Sequence, residues 1–552
     1  MKKHLKYFAL STFFTMFLCV EQSYAASIVI NVTPTSTGTC TTPDYVCSLQ
    51  QALTLAETGT DDFTINLAAG TYSDAYTFTS DQNKTVSLAG AGVDQTILDP
   101  STNSSINLNI NINSGATLNL AFSNLTISGG QGLSISSFPL SPGSVSLSSV
   151  KVSNDALSSN SGLYTNTSGP VTISNSIFSD NAVTGTSNGA AVQIRAQTGN
   201  ILISNSTFEN NTTPSSGGAG YLETTSGSIV LLNNLILHNT STGPGNNAGG
   251  FLVSATSGTI TFTNNTVYNN SAVSTGGAIE IGITSSNINF YNNIFNSNNG
   301  SSGDDIVIDY TGGTVINTNI FNNNISEICT NVLAACGLDQ FGSNQGQNTN
   351  EDPQFNNAAE GNFTLLSASA LIDAGSASAP SLPSTDITGV SPRNFGLAPD
   401  MGAYEAIPQL SVSPSSINFA TVSSPQTITI TNNGNYPASV SSIALSDTTN
   451  FILNTSGSGA CGGSSATIAA GSNCTVQVAS FNQSTSTTTG TLTITSNDPA
   501  NATLTVSLSE AGGSGGGGCS FTPHGTQNSA LILLIFLSNL LFYRIKTHQV
   551  RN

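Results

Sequence analysis

Hydrophobic residues recur in this chain at two fixed positions of a nine-residue unit. The first and the sixth residues of the unit are apolar in every copy, and successive copies start 25 to 31 residues apart. A period in this range indicates a solenoid, a propeller or an array of repeats. The eight copies start at Phe122, Leu147, Ile173, Ile203, Leu231, Phe262, Phe290 and Ile316.

The spacing inside each copy predicts β-strands. Another apolar residue precedes the first position by two in seven copies, as Val171 precedes Ile173, so apolar and polar residues alternate with the period of a half-buried strand. A further strand per period starts near Gly189, Gly217 and Gly276. Three short strands per repeat predict a right-handed parallel β-helix, and eight rungs at roughly 4.8 Å give a rod about 40 Å long.

Asparagine occupies the ninth position of most copies. Asn accepts left-handed backbone and its stacked amides bond to one another, so this column predicts a ladder at a repeated turn. His238 lies at a turn position that is Asn in other copies, and we interpret it as a substitute within such a ladder. The ninth-position residues are Asn181, Asn211, Asn239, Asn270, Asn298 and Asn324.

The first part of the chain has the features of an exported protein. Residues 1–25 combine a basic start, a short apolar core and a small-residue cleavage site after Ala25, so they predict a signal peptide. A helix predicted near 48–56 begins with a capping box at Ser48 and Gln51. Its apolar face would cover the open end of a β-helix that spans 26–406.

The last part predicts a second domain and a tail. Alternating strands over 408–510 indicate a β-sandwich, and residues 511–529 form a Gly-rich linker with Cys519. Residues 530–552 combine an apolar segment with basic residues, which predicts a transmembrane segment with a basic tail. An exported chain permits disulfides, and sequence proximity leaves Cys519 as the unpaired cysteine of the tail. The pairs predicted by proximity are Cys40–Cys47, Cys329–Cys336 and Cys461–Cys474.

The charge of the chain restricts its partners. The formal net charge is −19, and residues 26–518 contain four basic residues only. Nucleic acid is therefore excluded as a partner, and anionic polysaccharides are disfavoured unless divalent cations bridge them. We expect glycans or components of a host or envelope surface as partners, no organic cofactor, and leave Ca²⁺ open.

Candidate catalytic residues are few. Glycosidases need two carboxylates about 5–10 Å apart, and Glu223 and Glu280 follow equivalent strands two rungs apart. Asp304 and Asp305, with Asp309 nearby, form the densest acidic group, and a solvated or calcium-binding turn is the competing interpretation. Arg195 is the candidate for charge neutralisation in a lyase, against the interpretation of an ordinary solvated residue. No metal-ligand spacing identifies a metal site.

Three parts of the chain resemble known bacterial protein families or signals. CSLQQALTLA (47–56), DPQF (352–355), SALIDAG (369–375) and PDMGAYE (399–405) resemble the choice-of-anchor Q family, which implies a pectate-lyase-like β-helix over 38–406. ITNNG (430–434) and LTITSND (492–498) resemble the immunoglobulin-like choice-of-anchor D domain. The tail resembles C-terminal sorting signals cut by rhombosortase-type proteases, which implies processing or attachment at Cys519.

These features favour an exported, envelope-anchored rod at the bacterial surface or outer membrane, or one released from it. We expect an adhesin, a glycan-binding protein or a structural component. The alternative is a polysaccharide lyase or a glycoside hydrolase with its site on an exposed strand face.

Overall fold

A computed structural model describes most of the region between the predicted signal peptide and the Gly-rich linker. The predicted signal peptide, the linker with Cys519 and the predicted membrane segment lie outside the described residues. The described residues are 27–35, 39–40, 46–100, 107–113, 115–153, 156–157, 161–301, 303–310, 318–321, 323–330, 347–419, 424–480 and 487–510.

The chain up to Thr330 winds into a parallel β-helix. Its strands form three parallel sheets, here called A, B and C, in which each strand pairs with the equivalent strands of the rungs before and after it. Sheet A contains Ser27–Val32, Val46–Cys47, Asp62–Leu67, Gly70–Tyr72, Lys84–Gly90, Thr96–Leu98, Leu118–Ser128, Val145–Ser153, Val171–Ser174, Ile177–Ser179, Ile201–Ser204, Thr207–Glu209, Ile229–Leu232, Leu235–Leu237, Thr259–Thr263, Thr266–Tyr268, Asn287–Tyr291, Ile294–Asn296 and Thr318–Phe321.

Sheets B and C complete each rung. Sheet C consists of two-residue strands at a corner, namely Ala156–Leu157, Ala182–Val183, Thr212–Thr213, Thr240–Ser241 and Ser271–Ala272. Sheet B contains Tyr76–Ser80, Leu108–Asn113, Leu133–Phe138, Leu163–Thr167, Val192–Ala196, Gly220–Thr224, Phe251–Ala255, Ile279–Ile283, Ile306–Tyr310 and Ile328–Thr330.

The register confirms the predicted apolar columns through the seventh copy. Ile173 pairs with Ile203, and Phe178 pairs with Phe208, so equal positions of successive copies stack inside the rod. The rings of Phe178 and Phe208 are parallel, with centroids 5.0 Å apart. This stacking joins the rungs into one continuous hydrophobic core.

The eighth copy was placed in the wrong register. Phe290 pairs with Ile320, four residues after the predicted start at Ile316. Because Asn322–Asn324 are all asparagines, the local sequence fits a copy that starts at Ile316 as well as one that starts at Ile320. Only a start at Ile320 puts Asn323 at the fourth position, next to Asn293, and the buried Ile325 at the sixth. Asn324 is therefore not a ninth-position residue.

Two buried amide ladders run along the rod. In the predicted ninth-position ladder, the Asn211 side-chain amide donates to Asn239 Oδ1 at 2.8 Å and to the main-chain carbonyl of Phe178 at 3.0 Å. A second ladder, which the sequence analysis missed, occupies the fourth position: Asn265 donates to Asn293 Oδ1 at 2.9 Å. Left-handed backbone falls instead at the third and eighth positions, for example at Asn264 and Asn269.

The amino-terminal end of the rod is closed by a helix, α1 (Leu49–Thr58). Ser48 accepts a hydrogen bond from the Gln51 amide as its N-cap, and the predicted face of Leu49, Ala52, Leu53 and Ala56 is buried. Lys84 is buried beneath the carboxyl end of α1, where its ammonium donates to the carbonyls of Ala56, Glu57 and Gly59. A cation at this position complements the helix dipole.

Residues 347–407, here called the closing segment, return along the outside of sheet A. The segment contains the hairpin Phe355–Asn357 and Asn362–Leu365 with a 3-10 turn, Ala358–Glu360. Third-position asparagines hold it: Asn264 donates to the carbonyls of Asp400 and Gly402, and Asn292 donates to that of Ser376. The segments of the chain that resemble the family ending therefore pack on the later rungs of the rod.

A β-sandwich follows at residue 410. One sheet contains Leu410–Ser413, Gln426–Asn432, Asn473–Ser480 and Phe451–Asn454, and the other contains Ser416–Phe419, Thr503–Glu510, Thr488–Ser496, Ala438–Leu445 and Ala466–Ile468.

The predicted disulfides and the domain contact can be located in part. Cys40–Cys47 and Cys461–Cys474 are formed, whereas Cys336 lies outside the described residues. The Tyr436 hydroxyl of the sandwich donates to Asp373 Oδ2 in the closing segment at 3.0 Å. The sandwich therefore contacts the rod through the closing segment.

We predict that replacing Asn265 by Ala lowers the free energy of unfolding by about 3 kcal/mol, because buried partners on both sides lose a hydrogen bond. Asn265 is fully buried and also accepts from the Asn234 amide. Chemical denaturation measures the change. Asn111→Ala is the matched control on an outward, partly exposed position, with an expected change within about 0.5 kcal/mol. Equal effects of the two variants would contradict the conclusion that the fourth-position ladder stabilises the fold.

Candidate functional site

Sheet B presents two columns of side chains to the outside of the rod. Strand alternation sends every second residue outward, and the in-register pairing aligns these residues from rung to rung. One column contains Tyr164, Gln193, Tyr221, Leu252, Glu280 and Val307. The other contains Asn166, Arg195, Glu223, Ser254, Gly282 and Asp309.

A cleft of about 390 Å³ lies over the first rungs of these columns. Arg195 Nε and Glu223 Oε2 form an ion pair at 3.1 Å on its floor, and both side chains keep about two fifths of their surface exposed. The Arg195 guanidinium lies 5.7 Å from the centre of the Tyr221 ring. Phe138, which is 89% exposed, forms one wall. The cleft therefore combines an aromatic face with both a donor and an acceptor.

The tyrosine beside this pair is kept protonated. Burial is the main cause that raises the pKa of Tyr221 to about 12, and the negative charge of Glu223 adds to the increase. Tyr221 thus remains a neutral phenol at physiological pH and serves as a platform for the guanidinium rather than as a base.

Glu280 and Asp309 form a second polar group farther along sheet B. The Asn247 amide donates to Glu280 Oε1 at 2.8 Å, and the Thr275 hydroxyl donates to Oε2 at 2.7 Å. Burial raises the pKa of Glu280 to about 7, and a hydrogen bond with Asp309 contributes to the increase. Burial also raises the pKa of Asp309. The negative charge of Asp309, one rung farther along the rod, adds to the increase in the pKa of Glu280.

The predicted pairing of Glu223 with Glu280 is wrong in register. Glu223 aligns with Ser254 and then Gly282, whereas Glu280 aligns with Leu252 and then Tyr221. The two glutamates consequently lie in different columns as well as two rungs apart. Gly217 and Gly276 are aligned, but Glu223 follows its glycine by six residues and Glu280 follows its glycine by four, so the two glutamates occupy different outward positions.

Asp304 and Asp305 do not join Asp309 in one acidic site. Asp305 is buried and ends the ninth-position ladder, since its Oδ1 accepts from Asn298 and its Oδ2 from the amide and hydroxyl of Ser326. Asp304 Oδ1 accepts from the Gly300 amide in the preceding turn. These two residues therefore stabilise the turn, and only Asp309 reaches the outer face of sheet B.

Lys151 and His238 have local partners. Lys151 pairs with Asp94 at 2.9 Å on the outside of sheet A. His238 Nδ1 lies 2.8 Å from the amide nitrogen of Asn269, the equivalent residue of the next rung, as expected for a substitute within a ladder. In the described part of the chain, no three His, Cys, Asp or Glu side chains are grouped to hold a metal ion.

Sequence reasoning missed Phe138, Tyr221 and Asn247. Phe138 ends its strand outside the nine-residue unit, so no repeat column contained it. Tyr221 could have been found from the alternation within Gly220–Thr224, which places it on the same face as Glu223. Asn247 reaches Glu280 from a turn, and no sequence signal indicates that contact.

A third polar group is buried between the closing segment and the rod. Arg393 is fully buried; it pairs with Glu405 at 3.2 Å and donates to Asn233 Oδ1 at 2.6 Å. Burial raises the pKa of Glu405 to about 9, with a further contribution from Asp400 that Arg393 partly offsets. Burial likewise raises the pKa of Asp400 to about 7. The closed environment and the contacts to the main chain indicate a structural role.

Residues 108–295 match the family model described as right handed beta helix region. The match covers about a third of the chain and coincides with the regular rungs, so the rod is a right-handed parallel β-helix. No curated protein matches the sequence. Among the described residues, no helix is both long and apolar enough to cross a bilayer.

Two solved structures show weak similarity. The E. coli chaperone DraB is 11% identical over 20% of this chain and 58% of its own, with a TM-score of 0.16. WR4, an MSP family member from C. elegans, is 11% identical over 18% of this chain and 95% of its own, with a TM-score of 0.14. This chain thus spans less than two thirds of DraB, and such low scores say nothing about its function.

We predict that the protein becomes less stable as the pH rises from about 5 to about 9. The pKa values of Glu405 and Asp400 are higher in the folded protein than in the unfolded chain, so the folded state binds more protons in this interval. The resulting stabilisation is present at low pH and is lost as the pH passes the folded-state values.

Denaturant unfolding at several pH values measures this slope. Glu405→Gln should flatten it, whereas Glu360→Gln at an exposed position should leave it unchanged. A slope that is identical in all three proteins would contradict the assignment to Glu405.

Proposed function

We propose that this protein is an exported, envelope-attached β-helix that binds neutral glycans on the outer face of sheet B. The observation that supports this most directly is the cleft with Phe138 beside the Arg195–Glu223 pair. Sugars present an apolar ring face together with hydroxyl groups, and clefts that bind them combine apolar surface with a few placed polar groups.

Export and attachment are part of the same proposal. The signal-like residues 1–25 and the apolar and basic tail over 530–552 support a location at the bacterial surface, and Cys519 is the candidate for processing or attachment. The two disulfides agree with an oxidising compartment. In this arrangement the sandwich is the stalk and the rod is the adhesive part.

Glycoside hydrolysis is the second candidate, favoured by Glu280. A carboxyl group with a pKa near 7 is suited to act as a general acid. The burial of Glu280 argues in the other direction, because a residue that is 5% exposed offers a substrate little access. Asn247 and Thr275 also occupy both oxygens of Glu280. The geometry therefore supports binding more strongly than cleavage.

We predict that the purified protein binds neutral glycans on an array and releases no new reducing or unsaturated ends from them. Binding and product formation are measured on the same sugars, with and without Ca²⁺. The Glu280→Gln variant serves as the comparison. Cleavage by the wild-type protein that disappears in this variant would replace the binding proposal by hydrolysis at Glu280, and absence of any binding would contradict the glycan-binding proposal itself.

A further inference from the structure

The cleft at Phe138 has a shape and a charge that specify its ligand more closely. We infer that it binds a neutral oligosaccharide of at least two sugar units that runs obliquely across the rungs, with one ring on Phe138 and the hydroxyls of the next unit on Arg195 and Glu223. This inference rests on the proposed glycan-binding function and names the ligand class and its placement.

Phe138 supplies the apolar contact. Its side chain is 89% exposed at the end of the strand Leu133–Phe138 and lines the same cleft as the ion pair. A ligand that covers this exposed ring removes apolar surface from water, which is favourable. The apolar face of a pyranose ring is a matching surface.

Arg195 and Glu223 supply the polar contacts. They remain partly exposed, so a ligand reaches both side chains without breaking the ion pair. Two neighbouring hydroxyls of a sugar can donate to the carboxylate and accept from the guanidinium at the same time. The Arg195–Glu223 ion pair and the contact of Arg195 with the Tyr221 ring hold the two charged side chains in place before the ligand binds.

The rung spacing sets the minimum length of the ligand. Phe138 belongs to the rung of Leu133–Phe138, Asn166 to the next, and Arg195 to the one after that. Two rung steps of roughly 4.8 Å, and the two residues along the strand from Ser136 to Phe138, separate the aromatic wall from the ion pair. A single pyranose ring does not cover this distance, so the ligand has at least two units, and Asn166 lies between the two contacts.

The charges favour a neutral ligand. Each of the four Lys and Arg side chains in the described residues already has a partner. Lys84 binds carbonyls at the end of α1, and the ion pairs are Lys151–Asp94, Arg195–Glu223 and Arg393–Glu405. A uronate in the cleft would meet the Glu223 carboxylate and no free cation. A neutral hydroxylated ligand avoids this repulsion.

The test measures binding of the full-length protein to tetrasaccharides by calorimetry. The neutral probes are linear tetramers of glucose, mannose and galactose, and the anionic probe is a tetramer of galacturonate. We expect a neutral probe to bind and the galacturonate to bind at least about tenfold more weakly. Stronger binding of galacturonate, or equal binding of monosaccharide and tetrasaccharide, would overturn the inference.

Variants separate this inference from the proposed function. Phe138→Ala and Glu223→Gln should each weaken binding of the best neutral probe about tenfold, whereas Phe138→Tyr should preserve it. Leu397→Ala is the matched control, since Leu397 is 92% exposed but lies outside the cleft. Neutral binding that none of the cleft variants weakens would place the glycan site elsewhere and refute the inference alone. No binding of any probe would refute both.

Discussion

The rod depends on in-register pairing of every rung with the next. Parallel pairing stacks Phe on Phe and Ile on Ile inside the rod, and it also places one buried asparagine directly below another. An amide in such a column satisfies a neighbour above and a main-chain carbonyl below, as Asn239 does with Asn270 and Phe208. A one-residue slip would turn the apolar residues outward and leave the amides buried without partners. Burial of the apolar residues and hydrogen bonding of the buried amides therefore favour the same register.

Ladders and cores of this kind need ends. At the start, α1 covers the apolar interior, and the buried Lys84 binds the carbonyls at the end of that helix. Toward the other end, Asp305 accepts from Asn298 and so ends the ninth-position ladder. Asn348, from the beginning of the closing segment, extends the fourth-position ladder by accepting from Asn323. The helix α1 therefore covers the core at the start of the rod, and Asp305 and Asn348 are the last members of the two amide ladders.

Much of the fold could be predicted from the sequence because equal positions of successive repeats pair with each other. The apolar columns, the capping helix and the position of the sandwich follow from periodicity and from capping chemistry. The eighth copy was misplaced because Asn322–Asn324 fits two registers locally, and only the neighbouring rungs decide between them. The candidate site was harder to predict: Arg195 and Glu223 meet across one rung step, but Phe138 and Asn247 come from positions without a repeat pattern.

The closing segment also determines how the protein responds to a pulling force. The sandwich follows this segment directly and contacts it through Tyr436, which bonds to Asp373, and through Asn435, which bonds to Leu365 and Ile407. The segment is in turn bound to the rungs just before the last one, at Asn233, Asn264 and Asn292. Tension applied at the sandwich therefore reaches the rod first through these lateral hydrogen bonds and not through the last rung. The rod can then carry load while its terminal strand stays paired.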